Sequence, residues 1–165
     1  MKRKLIMALL ILVCVLLQAT VCPMIAIGEI KPNLLIILTV SFALMRGRRE
    51  GMLIGFFCGL LTDIYFESTL GFNALLYLWV GYFGGYFYRI FYDDDIKTPI
   101  LLISICDLGY GIVQYLFRFL MRGRFQFPFY LGRIILPEVV YTLILTIICY
   151  QIFYRINRGL SLSDE

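Results

Sequence analysis

Three carboxylates stand inside apolar stretches of this sequence: Asp63, Asp107 and Glu138. Asp107 lies near the middle of an apolar run from Pro99 to about Phe117. A carboxylate at bilayer depth costs roughly 2.5–3.5 kcal/mol on insertion scales, so Asp107 is expected to face other helices or a cavity. Glu138 follows Pro137 near the start of the last apolar run. A helix N-terminus there favours negative charge. Asp63 closes another run close to an aqueous edge. The three groups could mark a proton or cation path, or a small-ligand site. They could equally be structural, bonded to Asn73, Gln114, Tyr110 or Tyr141. The structural reading is preferred, most of all for Asp63.

Catalytic arrangements are scarce. An aspartyl protease needs two carboxylates sharing a proton. The contexts here, Leu61-Thr62-Asp63 and Ile105-Cys106-Asp107, lack the Gly-x-Gly-Asp setting of intramembrane proteases. No serine-nucleophile, P-loop or dinucleotide pattern is present, and the chain contains no His. Cys14, Cys22, Cys58, Cys106 and Cys149 form no CxxC pair and read as small buried residues. Asp93-Asp94-Asp95, beside Lys97, reads as a solvated loop. The expectation is a non-enzymatic chain with no cofactor and no metal.

Two glycine series carry more information. Gly51, Gly55 and Gly59 recur every four residues, and Gly81 and Gly85 repeat the step further on. Such spacing puts the glycines on one helix face, where another helix can approach closely. The favoured reading is packing inside the chain's own bundle. The sharper one is a docking groove for a partner's transmembrane helix. Arg46, Arg48 and Arg49 form the densest basic loop, suited to the cytoplasm and to anionic lipid.

The elements that must position these residues follow from composition. The chain has 165 residues, 61% hydrophobic and 16% charged, with a mean hydropathy of +0.87. A soluble domain has about 45–50% apolar and about 25% charged residues. A membrane helix takes ~20 residues, so six and their loops would use almost the whole chain. This excludes a soluble enzyme, a disordered chain and a coiled coil. The net charge of +4 is read as topology rather than nucleic-acid binding. Expected spans lie near 5–27, 33–45, 51–66, 72–88, 99–117 and 134–154, in a single polytopic domain 1–165. The second is short for a crossing and would need a locally thin bilayer. Arg118 to Arg133 reads as interfacial.

With both ends inside, ten basic residues (Lys2, Arg3, Lys4, Arg46, Arg48, Arg49, Arg89, Lys97, Arg155, Arg158) face the cytoplasm, and five (Lys31, Arg118, Arg122, Arg124, Arg133) face out. That asymmetry favours cytoplasmic termini. Lys2-Arg3-Lys4 and the following apolar run resemble a signal peptide. There is no A-x-A site, and Val21 stands where a lipobox ending at Cys22 wants a small residue. An uncleaved first span is therefore expected.

The stretch from Lys31 to Tyr86 resembles the rod shape-determining MreD family. The matching features are Pro32-Asn33, Ala43-Leu44 leading into Arg46-Gly47-Arg48-Arg49-Glu50-Gly51, then Gly55-Phe56, Gly59-Leu60 and Asp63, and finally Leu70-Gly71-Phe72-Asn73-Ala74-Leu75 with Gly81-Tyr82. The resemblance implies an all-α integral membrane bundle, similar to the S-component fold of energy-coupling-factor transporters. It also implies a scaffold subunit of cell elongation in the bacterial plasma membrane. The implied partners are MreC, with MreB, RodA and a class B penicillin-binding protein in the wider complex. A small-molecule-binding S-component-like subunit is the alternative. It predicts a closed polar pocket near Asp107 and Glu138.

Overall fold

A computed structural model describes residues 2–25, 33–66, 71–87, 97–120, 129 and 131–163. The described chain is all helical: α1 (Lys2–Met24), α2 (Leu34–Arg46), α3 (Arg48–Phe66), α4 (Phe72–Tyr86), α5 (Lys97–Leu120) and α6 (Leu136–Ser163). Helix starts and stops follow from local chemistry. Pro23 ends α1, because it has no N–H for the carbonyl of Ala19. Pro99 sits in the first turn of α5, where a donor is not needed. A π-helical turn, Leu131–Ile135, leads into α6 just before Pro137. Pro137 offers no N–H to the carbonyl of Arg133, and the wider turn absorbs that missing bond. Most of the 118–133 segment expected to be interfacial lies outside the described residues. So do Lys31, Arg89 and the Asp93-Asp94-Asp95 loop.

The shortest helix is the centre of the bundle. α2 has 13 residues, and Leu34 through Leu44 are all buried. A helix apolar on every side is a buried helix. It packs on α1, α3, α4, α5 and α6. Its main core is Leu35, Ile36, Ile37, Leu38, Val40 and Phe42, with Phe42 against the Phe153 ring of α6 at 5.9 Å between centroids. Protein rather than lipid encloses α2. Its length therefore need not match the hydrocarbon layer.

The turn after α2 is a single residue. Gly47 joins α2 to α3 at φ 102°, ψ 179°, and its N–H donates to the Ala43 carbonyl at 2.9 Å. That backbone region is essentially reserved for glycine. Neighbouring helices run in opposite directions. Gly51 of α3 meets Ala43 of α2, and Gly55 meets Thr39. α4 returns antiparallel to α3, and its Asn73 lies at the level of Tyr110 and Gln114, late in α5.

α1, α5 and α6 contain windows long and apolar enough to cross a membrane: Lys4–Val21, Pro99–Phe117 and Leu136–Gly159. α2, with 13 residues, and α4, with 15, fall short of the ~20 residues of a typical crossing. α3 has 19 residues but is less apolar, so length and composition together support three of the six expected spans.

Candidate functional site

The glycine series of α3 and α4 are spent on each other. A methyl group added at Gly55 would overlap the Tyr77 carbonyl, one at Gly59 the Asn73 carbonyl, and one at Gly81 the Gly51 carbonyl. Each step of four along α3 thus meets a step of four backwards along α4. At the inner end, a Cβ on Gly51 would stand 2.5 Å from the Ala43 Cβ of α2, and one on Gly85 would meet the Arg48 backbone. The contact between α3 and α4 is the most extensive between described elements. Of the two readings of these faces, packing inside the chain's own bundle and docking of a partner's helix, this geometry fits the first. Both faces are filled from within the chain, because backbone touches backbone along their whole length.

Asp63 ties α3 to the start of α4. Its carboxylate accepts from the N–H of Gly71 at 2.9 Å, Asn73 at 3.2 Å and Ala74 at 3.1 Å. Gly71, at φ 98°, has no side chain to cap α4. Asp63 supplies that cap from the end of α3, satisfying donors that a helix start leaves unpaired. Its negative charge also suits the positive end of the α4 dipole.

At the same end lies a buried polar hub. Asn73 Oδ1 accepts from Tyr110 Oη at 2.8 Å and from Gln114 Nε2 at 2.6 Å. Asn33 Oδ1 accepts from the Ile36 N–H at 3.3 Å, capping α2, and from Tyr77 Oη at 3.0 Å. The Asn33 N–H donates to Thr142 Oγ1 of α6 at 3.3 Å, and the Leu34 N–H to Gln18 Oε1 of α1 at 2.9 Å. The Tyr77 and Tyr110 rings pack at 5.1 Å. Donors and acceptors from α1, α2, α4, α5 and α6 thus meet around the start of α2. Without these partners, polar groups at membrane depth would each cost several kcal/mol.

The sequence names Asn73, Gln114 and Tyr110 as possible partners of the carboxylates. Asn73 does partner Asp63, through its backbone N–H at 3.2 Å, while the side chains of Asn73, Tyr110 and Gln114 bond to one another and Tyr141 Oη donates to the Ile25 carbonyl at 2.8 Å. Asp107, on α5, is 2% exposed, and neither of its oxygens has a hydrogen-bond partner. Glu138, half-buried on α6, is close enough to feel its charge. Gln18 and Thr142 carry no expectation in the sequence, and Asn33 enters only through the Pro32-Asn33 family match. The available signal was a Gln and a Thr interrupting otherwise apolar runs, and an Asn directly before a helix.

The basic end is divided. Arg46 is not a free cytoplasmic charge, since its side chain is only 7% exposed. Its Nε donates to Asn157 Oδ1 of α6 at 2.6 Å, and its guanidinium reaches Glu50 at 3.3 Å. Arg48 lies over the Tyr82 ring at 5.6 Å. Arg49 is exposed. Of the three, Arg46 is a clamp between helices, and Arg48 and Arg49 face outward from the bundle.

Among the described residues, no group of three or more His, Cys, Asp or Glu could hold a metal ion. The family model described as rod shape-determining protein MreD matches residues 1–160. No curated protein and no solved structure matches the chain.

Proposed function

Since the chain belongs to the MreD family of rod shape-determining proteins, we propose that it is a non-enzymatic scaffold in the bacterial plasma membrane. It would support lateral peptidoglycan synthesis by packing beside MreC, with MreB, RodA and a class B penicillin-binding protein in the same assembly. The family match over residues 1–160 is the observation that carries this reading. The bundle itself fits a scaffold. Its glycines and most of its polar groups are used to hold its own helices together. A bitopic partner must then pack on the lipid-facing sides, where residues such as Trp79 and Phe83 of α4 are exposed. Both termini and the Arg48–Arg49 turn are assigned to the cytoplasm, and six crossings are assigned to the six helices.

The test is purification of the tagged chain from its own host in mild detergent, read by mass spectrometry. Recovery of MreC with RodA or a penicillin-binding protein is the expected result. Recovery of an ATPase pair with a coupling subunit would replace the scaffold reading with S-component-like uptake.

A further inference from the structure

Of the two buried aspartates, Asp63 is held by three backbone N–H groups and Asp107 by none. An unpaired anion in a low-dielectric bundle is unstable without a compensating charge. No Lys or Arg among the described residues pairs with Asp107. At 2% exposure, it is also closed to a basic side chain from another protein. A ligand held there without opening the helices would have to be no larger than an ion.

The surroundings are oxygen donors. Glu138 and Thr142 sit one turn apart on one face of α6, the helix packed against α5, and the Thr142 hydroxyl faces Asp107 without completing a hydrogen bond to it. Thr142 is held in place, since its Oγ1 accepts the Asn33 N–H. Half-buried Glu138, near the start of α6, leads inward from the end of the bundle opposite Arg46, Arg48 and Arg49. Carboxylate and hydroxyl oxygens suit a hard cation. Two carboxylates and a hydroxyl are few for a divalent ion that takes six to eight oxygens. The titratable groups coupled to Asp107 are Cys106, beside it on α5, and Glu138 on α6.

We propose that Asp107, with Glu138 and Thr142, binds one exchangeable monovalent cation that enters past Glu138. A proton and a sodium ion share this chemistry, because the same oxygens hold either. The site goes beyond the scaffold reading and stands or falls without it.

The whole purified protein in lipid nanodiscs is the material for the test. Thermal unfolding in sodium chloride is compared with choline chloride at equal ionic strength, and infrared difference spectra follow the carboxyl C=O stretch as pH and sodium change. A saturable rise in unfolding midpoint with sodium, lost in Asp107→Asn and weakened in Glu138→Gln, assigns sodium. A carboxyl band that comes and goes with pH at fixed sodium, and is missing from Asp107→Asn, assigns the proton. Should Asp107→Asn fail to fold, the wild-type spectra and Glu138→Gln still decide. A carboxyl band insensitive to both pH and sodium, with no sodium effect on unfolding, overturns the proposal and makes Asp107 a permanently neutral structural acid.

Discussion

Asp63 and Asp107 show how little residue type alone decides. Both are aspartates in apolar runs, and both are buried. One ends its helix beside the start of another and finds three donors. The other lies in mid-helix, where the backbone donors are already used. The position of Asp63 at the end of a run made its structural role legible. The solitude of Asp107 was not legible, because it depends on Asn73, Tyr110 and Gln114 choosing one another. The cap yields a prediction. Asp63→Ala should cost about 2–3 kcal/mol, the scale of a lost cap plus buried donors left unpaired. Asp63→Asn should cost less, since one acceptor oxygen remains. Thermal unfolding of the purified variants in one detergent checks the order. Equal midpoints for wild type and Asp63→Ala would remove the capping role.

At the scale of elements, the glycine seam decides what a substitution can test. A bulky residue at Gly55 does not probe partner binding selectively, because its first added carbon meets the Tyr77 backbone. Gly55→Ala should destabilise the bundle by about 3 kcal/mol, at the upper end of overpacking. Gly109→Ala is the control. Nothing lies within 4 Å of a Cβ at Gly109, so the change should be neutral, or stabilising by roughly 0.5–1 kcal/mol through helix propensity. Proteolysis of the two variants in membranes separates them, and equal resistance would mean that the seam is looser than described. The other end of α2 has its own clamp. Arg46→Ala removes the bond to Asn157 and the pair with Glu50. It should loosen α2 against α6 by about 1.5–3 kcal/mol, the value of a hydrogen bond to a charged group. Arg46→Lys should rescue only part, since an ammonium lacks the fork that reaches two acceptors. The glycine spacing was readable because period four is a property of one helix. Which helix fills each face was not, because that pairing is set by the fold. The Arg46 clamp was hidden for a similar reason: Asn157 lies far along the chain and stands in an unremarkable polar tail.

Among the described residues one end of the bundle carries the Arg46, Arg48 and Arg49 cluster and the other the buried polar groups with exposed Arg133 beside them, and the helices alternate between the two ends. Arg46, Arg48 and Arg49 mark the first end, and Asn33, Asp63 and Asn73 mark the second. Basic residues favour the cytoplasmic side, and the orientation proposed above rests on that preference. The difficulty is length. α4 has 15 residues and spans about 22 Å, against a hydrocarbon layer of about 30 Å. α2 can be short because protein surrounds it, but α3 and α4 expose Leu53, Phe57, Ile64, Leu75, Trp79 and Phe83. Those faces require lipid. For the α3–α4 pair to cross, the bilayer must thin beside it, at a cost of fractions of a kcal/mol per ångström. The competing arrangement keeps the pair re-entrant, dipping from the cytoplasm without reaching the far side. Single cysteines placed in a background without the native five distinguish the two. Tyr65, at the far end of α3, and Met24, at the end of α1, are exposed. Tyr65→Cys and Met24→Cys should both react with a membrane-impermeant maleimide applied to the outer face. Arg49→Cys and Gly159→Cys should react only after permeabilisation. Labelling at Met24 but not at Tyr65 would leave α3 and α4 re-entrant. The outer rim would then belong to α1, α5 and α6, the three helices both long and apolar enough to cross.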